Sequence, residues 1–521
     1  MSGSLSLEKR RWHSGMSTTE DWWSVWIGLL FFALGLLSLT GLDLVGWIAY
    51  PSKWVGLTGE KGVLNSVNPL GGWYKGQGLG LWSILVSYAV FTIPITIGAI
   101  AMKWDIKKFV VGWSIIFFFT YLLWILGHHA FLAADTTNKG KYGLDHSLSL
   151  GGGASYILAL GVGLLIGNLV KPLARFLSEA AKPEWFIKTA IVFLGVKVGY
   201  MALDFPRDVL ELALAGAAAT IVAYLIFWPG TYLISRKLFH LPRKTAAVLS
   251  SAISICGVSA AVATGGAVRA KPIVPVMVSA LVVVYAVIEL VVLPPIFTKY
   301  MIDQPVVAGS ALGMSVKTDG ADAAAGAVMD DMMRIKKRNE DGVEWVEGFI
   351  TTSAVMTKIW IDMFIGLWAF LLAMVWVYKI DRVEGEKVPA IEIWHRFPKF
   401  VLGYFCTWFA YLGLLVLLPE AKETVPGAEA AAAEASNSIK DYHELAKMGA
   451  MPVEKGMRKL FFMLTFVSIG IVTDFKKLAE ARFGRMIGVY FVALFLFVIP
   501  VALVVAWIFH HGMTVPVVGG Q

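Results

Sequence analysis

Residues able to do chemistry are sparse in this chain, and they gather in a few apolar stretches. The first is SSAISICGVSAAVATGGAVRAKP, residues 250–272. From Ser250 to Ala267, 14 of 18 residues are Ser, Ala, Gly, Thr or Cys, where neighbouring segments carry Leu, Ile and Phe. Two readings fit. Small residues let helix backbones approach closely in a membrane, which gives a tightly packed helix. Alternatively the helix breaks near Cys256-Gly257, with Gly257, Gly265 and Gly266 permitting the unwinding. A break frees backbone N–H groups, and Ser259 would cap a second half-helix whose positive end attracts anions. Ser251, Ser254, Ser259 and Thr264 would add hydroxyl donors, which suits an anion such as sulfate that brings none.

Segment 305–328 supplies charge: Lys317, Thr318, Asp319 and Asp322 lie among Gly309, Gly313, Gly320 and Gly326. At about 2.5–3.5 kcal/mol per central charge, it cannot insert as an isolated lipid-facing helix. It must be buried among other helices, or be a re-entrant piece lining a cavity. Asp319 and Asp322 share a face if this stretch is helical. They either pair with Lys317 or Lys358, or carry a coupling proton or Na⁺. Lys358 and Asp362, at i and i+4, can satisfy each other. Lys197 is the only charge between Lys188 and Asp204. Its stem either snorkels to the interface or its ammonium is a buried counter-charge for an anion. Glu289 has no evident partner, and His128-His129 and His510-His511 read as interfacial residues at span ends.

The elements that must position these residues are membrane helices. Of 521 residues, 57% are hydrophobic and 16% charged, against about a quarter charged in soluble domains. Thirteen apolar segments are long enough to span, from 23–41 to 484–510, at about 1.5 Å per residue across roughly 30 Å of hydrocarbon. The fold class is therefore an all-α polytopic membrane protein. No signal peptide is evident, since MSGSLSLEKRRWHSG is polar and basic with no cleavage site after the first apolar run. The net charge of +8 sits in short loops, so nucleic acid is not implied. Cys256 and Cys406 lie in separate segments and offer neither a disulfide framework nor metal-ligand spacing. With no Gly-rich phosphate loop, HExxH or G-x-S-x-G motif, an enzyme is not expected.

Loop charge orients the chain, because short cytoplasmic loops collect Lys and Arg. With the N-terminus inside, MKWDIKK (102–108), KPLARFLSEAAK (171–182), SRKLFHLPRK (235–244) and FKKLAEARFGR (475–485) fall inside and are basic. The loop at 299–303 would also be inside but is nearly neutral. Segment 329–348 falls outside with more acidic than basic residues, and 419–440 is an acidic, Ala-rich extracellular linker. The C-terminus is then extracytoplasmic. A faint echo relates FLGVKVGYMALDF (193–205) to FVSIGIVTDF (466–475), in segments that this topology runs in opposite directions, as inverted-topology repeats require.

LLIGNLVKP (164–172), FLGVKVGY (193–200), AISICGVSAAVA (252–263), SAVMTKI (353–359) and SIGIVTDFKKL (468–478) occur in the order of motifs of the sulfate exporter family of bacterial inner-membrane proteins. The resemblance covers about residues 150–510. It is distantly similar in turn to the cation/proton antiporter and bile-acid symporter group. It implies inverted repeats, crossing discontinuous helices and an elevator-like carrier with Ser254 to Ala260 at the crossing. It also places Lys197 at a basic position of the family's Gly-x-Arg-x-x-Phe motif. Two departures stand out: residues 1–149 extend beyond the family's usual start, and Thr318-Asp319 replaces its His-Glu pair, with Asp322 near a Gln position.

The expectation is thus a secondary carrier of a small oxyanion in the cytoplasmic membrane, bathed by lipid, with no resident cofactor or metal. Ser254, Cys256, Gly257, Ser259 and Lys197 would bind substrate. Thr318, Asp319 and Asp322 would handle H⁺ or Na⁺, supported by Lys317, Lys358 and Asp362. Residues 1–149 form accessory segments, 150–304 and 305–521 the two halves, and a homodimer is one arrangement open to it. The competing expectations are a cation/proton antiporter and a non-transporting scaffold or sensor.

Overall fold

The computed structural model describes residues 12, 15–71, 74, 80–134, 138–381, 389–417, 442–476 and 484–518. The acidic linker at 419–440 lies outside these residues. Among the described residues, nine helices are long and apolar enough to cross a membrane. They begin with α1 (Glu20–Leu36), α2 (Trp82–Ala101) and α3 (Ile106–Gly127). The only sheet among the described residues is the antiparallel pair β1 (Ala49–Pro51) and β2 (Val67–Pro69), between α1 and α2. A short turn of helix, α4 (Ala130–Ala133), precedes α5 (Gly153–Leu169), which bends by 114° into α6 (Lys171–Leu177). α7 (Pro183–Asp204) and α8 (Pro206–Leu233) follow as long spans. The all-α membrane class is borne out.

The two small-residue segments behave differently from their neighbours. Segment 246–268 divides into α9 (Arg243–Ser254) and α10 (Gly257–Ala267). The backbone breaks at Ile255 (φ −117°, ψ −109°), and Gly257 adopts φ +49°, a conformation natural to glycine. The Lys244 ammonium at the start of α9 donates to the Arg269 carbonyl just beyond α10, at 3.4 Å. Entry and exit are therefore neighbours, and the segment is a re-entrant hairpin. It does not cross the membrane as one of thirteen spans.

Segment 305–328 is a second hairpin. α11 (Ile273–Tyr300) crosses the membrane, and four residues lead into α12 (Pro305–Ser315). α13 (Asp319–Asp341) then returns, and Lys336 donates to the Thr298 carbonyl at the end of α11, at 3.3 Å. α14 (Phe349–Met363) lies alongside: Gly309 packs on Ser353, Gly313 on Ala354, and Gly326 on Ala354 and Thr351. Those contacts run α12 parallel to α14 and α13 back against both. α15 (Ile365–Val375) continues α14 within one apolar span, 349–380.

Closing the bundle are a short helix α16 (Ile391–Arg396), α17 (Phe400–Leu417), α18 (Tyr442–Met451), α19 (Arg458–Val472), α20 (Gly484–Ala493) and α21 (Ile499–His510). Asp21 of α1 pairs with Lys188 of α7 at 2.7 Å and accepts from the Lys399 backbone N–H at 3.1 Å, so the starts of α1, α7 and α17 share one face. The α9–α10 hairpin enters from that face: Lys244 pairs with Asp381 at 2.7 Å, and Arg396 donates to the Ala263 carbonyl. The α12–α13 hairpin enters from the opposite face.

Two opposed hairpins replace the two crossing discontinuous helices that the resemblance implied. They also move the loops. Arg269 and Lys271 now join Arg243 and Lys244 on one face, and residues 301–304 move to the other, which removes the neutral-loop anomaly. Within α7 and α19, stretches 193–205 and 466–475 do run in opposite directions. Asp474 pairs with Lys171 at 2.7 Å on the face where α7 begins, and α7 ends on the other.

The N-terminal helices pack directly on this frame. Ser24 donates to the Trp185 carbonyl at 3.3 Å, and Phe31, Phe91, Phe193 and Phe461 form a continuous aromatic cluster. Close backbone crossings seat α5 on α19, where a Cβ on Gly163 would lie 2.7 Å from the Val467 carbonyl.

Candidate functional site

The hairpin tips meet inside the bundle. A Cβ on Gly257 would lie 2.3 Å from the Lys317 carbonyl and 2.4 Å from Val282 of α11, so the break in one hairpin is pressed against the turn of the other. Small residues are needed on both sides to allow that approach. Each tip presents the same polarity, since α10 and α13 begin there and α9 and α12 end there. Two helix N-termini and two helix C-termini thus converge on one point, which brings both unpaired N–H donors and unpaired carbonyls to the site.

Around that point lie buried charges. Asp319, Asp322, Asp362 and Lys358 are 3%, 0%, 1% and 2% exposed, so the point is closed to both faces in this conformation. Lys358 of α14 donates to the Ile255 carbonyl at 2.9 Å, capping the broken end of α9. It stands 4.0 Å from Asp362, one turn further along, so the pair is close without a direct hydrogen bond. Lys317 donates to the Met314 carbonyl and lies 5.3 Å from the centre of the Phe227 ring. Thr318 accepts the Ala321 N–H at 3.1 Å and is the N-cap of α13.

Several oxygens have no partner. Neither carboxylate oxygen of Asp322, Asp362 or Glu289 has a hydrogen-bond partner, nor has Oδ1 of Asp319. Unpaired buried polar atoms are rare because each forfeits its hydration without recompense. The Cys256 thiol and one oxygen each of Asp319 and Asp362 lie within 4.8 Å of one another. On the α8 side, the Thr231 and Ser254 hydroxyls are 3.0 Å apart, and Trp228 donates to Ser251 at 2.9 Å.

Most of the residues singled out from sequence therefore converge: Ser254, Cys256, Gly257, Thr318, Asp319, Asp322, Lys317, Lys358 and Asp362. Ser259 lies in the first turn of α10 and is half-buried. Lys197 is not brought in. Its ammonium pairs with Glu454 at 3.9 Å and its Cε packs 3.6 Å from where a Gly348 Cβ would be. Gly320, next to the tip, packs instead on Ile187, ten residues and about 15 Å earlier in α7. The cation of a spanning helix that does reach the tips is Lys358, which the sequence marked as a possible partner of Asp319 and Asp322 and by its i,i+4 spacing to Asp362. Glu289 comes from α11, and Thr231 was not marked by any local pattern. His128 and His510 are buried and contact backbone carbonyls one turn earlier in their own helices, Trp124 at 2.9 Å and Ala506 at 3.3 Å.

Comparison with known proteins adds a family. The model described as "Conserved hypothetical protein 698" matches residues 144–489, which include both hairpins. The chain belongs to that family. A UPF0324 membrane protein of Nitrosomonas europaea is 51% identical over 512 residues, covering 97% of this chain and 99% of its own length. A UPF0324 membrane protein of Rhodopirellula baltica is 31% identical over 335 residues, 64% of this chain and 53% of its own length. Another, from Nitratidesulfovibrio vulgaris, is 28% identical over 387 residues, 73% of this chain and 56% of its own length. No solved structure matches. Within the family "Conserved hypothetical protein 698", the span of the Nitrosomonas match shows that the N-terminal helices are shared by at least one relative.

Proposed function

We propose that this multi-pass membrane protein is a secondary active carrier, not an enzyme, whose substrate site lies where the two hairpin tips meet. The observation that carries this reading is the pair of opposed re-entrant hairpins, with irregular backbone and unpaired carboxylates buried between them. Irregular backbone at membrane depth is tolerated where it lines a site, and charges there mark ion and substrate pathways. A scaffold has no use for their desolvation cost. Alternating access follows if one bundle carries the tips past the other.

The substrate class is a small oxyanion such as sulfate, sulfite or a sulfonate. Backbone N–H groups at the starts of α10 and α13 and the Lys358 ammonium would hold it, and Ser254, Ser259 and Thr231 offer hydroxyls. Asp319 and Asp322 handle a coupling H⁺ or Na⁺, and no resident cofactor is needed. The basic face carrying Lys171, Lys244 and Lys271 is cytoplasmic in this reading, which puts the chain in the cytoplasmic membrane. The second reading is a cation/proton antiporter. It is favoured by the excess of carboxylates (Asp319, Asp322, Asp362 and Glu289) over ammonium groups (Lys317 and Lys358) around the tips.

Flux in proteoliposomes separates the two. Oxyanion uptake that falls at least tenfold in Lys358→Ala and in Asp319→Asn, and is nearly unchanged in Lys197→Ala, supports the anion carrier. Na⁺ or K⁺ movement driven by a pH gradient and indifferent to oxyanions selects the antiporter. Sulfate and sulfite flux untouched by both tip variants sinks the anion reading.

A further inference from the structure

The donors gathered at the tips are not all of one kind. Asp319 opens α13, Asp362 lies on α14, and Cys256 sits in the break between α9 and α10. They are 63 and 106 positions from Cys256 in sequence, so no spacing rule reveals them. In space the Cys256 sulfur and one oxygen of each carboxylate lie within 4.8 Å of one another. The Asp362 carboxylate is the telling group: it is 1% exposed, turned into this cluster, and outside the cluster neither of its oxygens has a hydrogen-bond partner. Lys358, 4.0 Å away, spends its hydrogen bond on the Ile255 carbonyl instead.

We propose that Cys256, Asp319 and Asp362 bind one borderline-soft divalent cation, of the Zn²⁺ or Co²⁺ class, bridging both hairpin tips. Three donors on a tetrahedral ion with bonds of about 2.0–2.3 Å stand about 3.5 Å apart, so a contraction of about an ångström closes the site. Sulfur with two carboxylates disfavours Mg²⁺ and Ca²⁺, which take oxygen alone. Charge also balances. Two carboxylates and a thiolate carry three negative charges, which a divalent ion and the Lys358 ammonium cancel. On binding, the Cys256 thiol gives its proton to solvent and its sulfur lone pair to the metal. The fourth position stays open to water or to substrate. Because the ion would tie the α9–α10 tip to the α12–α13 tip and to α14, it would hold the tips together.

The site goes beyond the carrier reading and does not depend on it; with the ion on Asp319, the coupling H⁺ or Na⁺ of that reading falls to Asp322. The test uses full-length protein in detergent, stripped with EDTA and titrated with Co²⁺. One equivalent should bind with a thiolate-to-cobalt charge-transfer band in the near ultraviolet. The band should vanish in Cys256→Ser, persist in Cys406→Ser, and need at least tenfold more Co²⁺ in Asp362→Asn. Zn²⁺ should displace the Co²⁺, and equimolar Mg²⁺ should not. Absence of the band in the wild-type protein overturns the proposal without relying on any variant's folding. So does a band that survives in Cys256→Ser, or displacement by Mg²⁺. Oxyanion flux in a protein lacking the band would leave the carrier reading standing alone, and the band without flux would leave only this one.

Discussion

Gly257 has two independent reasons to be glycine. Its φ of +49° strains any side chain, and a Cβ would meet the Lys317 carbonyl at 2.3 Å. Gly257→Ala should destabilise the protein by about 1–3 kcal/mol, read as a lower Tm in detergent. An unchanged Tm would mean that the tips do not touch. Lys358 and Asp362 are coupled in a different way. Lys358→Ala strips the Ile255 carbonyl of its donor and leaves Asp362 without its neighbouring cation, a cost of about 1–3 kcal/mol. A double-mutant cycle with Asp362→Asn should return an interaction energy of at least about 0.5 kcal/mol, and additivity would separate the two residues. The residue types at the site were legible: small residues flanking Cys256, carboxylates after Lys317. Their partners were not, because Lys358 reaches a carbonyl 103 positions away. Lys197 read as well as Lys358 did, being an isolated charge in an apolar segment, and only packing sends it to Glu454.

Among the elements, the hairpins carry the sharpest test. Single cysteines at 244 and 269, in a protein whose native cysteines are replaced, should react with an impermeant reagent from one side of the membrane. Cysteines at 302 and 336 should react from the other. Labelling of 302 from the side of 244 would restore α9–α10 as a span and remove the site. Hydropathy could not settle this, since an apolar stretch of about 20 residues fits either one crossing or two half-depth helices. The loop charges held the hint: the neutral 299–303 and the basic Arg269 and Lys271 each suit the face where the hairpins put them. The α5–α19 crossing offers a second test at this scale. A Cβ on Gly470 would stand 2.6 Å from Gly163, so Gly470→Val should cost about 1–3 kcal/mol in thermal unfolding. A neutral substitution would contradict the backbone contact.

Across the whole molecule, α1–α3, α5, α7, α17 and α19 form one packed group, and the hairpins with α8, α11, α14 and α21 form another. Glu347, in the link before α14, pairs with Lys459 of α19 at 2.6 Å and so ties the groups at the face where α13 ends. The Lys459 ammonium holds the Glu347 carboxyl well below the usual carboxylate range. A depressed folded-state value means the bond stabilises fully above the unfolded-state pKa of about 4.3, and is lost as pH falls through the lower folded value. Wild-type protein should therefore lose more stability than Glu347→Gln as pH drops below 5, measured by thermal unfolding across pH. Parallel losses would remove this pair as a tie.

The sequence by itself determined what solvent the chain lives in and where it spends its polar residues. Depletion of charge, apolar lengths and basic loops are local properties, and the bilayer reads them locally. It also marked SSAISICGVSAAVATGGAVRAKP and the Lys317–Asp322 stretch as unlike lipid-facing helix. Tertiary structure alone decided that both turn back, that their tips meet, and that Cys256, Asp319, Asp362 and Lys358 share one buried point. The reason is physical. A buried carbonyl or carboxylate is satisfied by whichever group packing brings within a few ångströms, and in this fold those groups come from helices far apart in the chain.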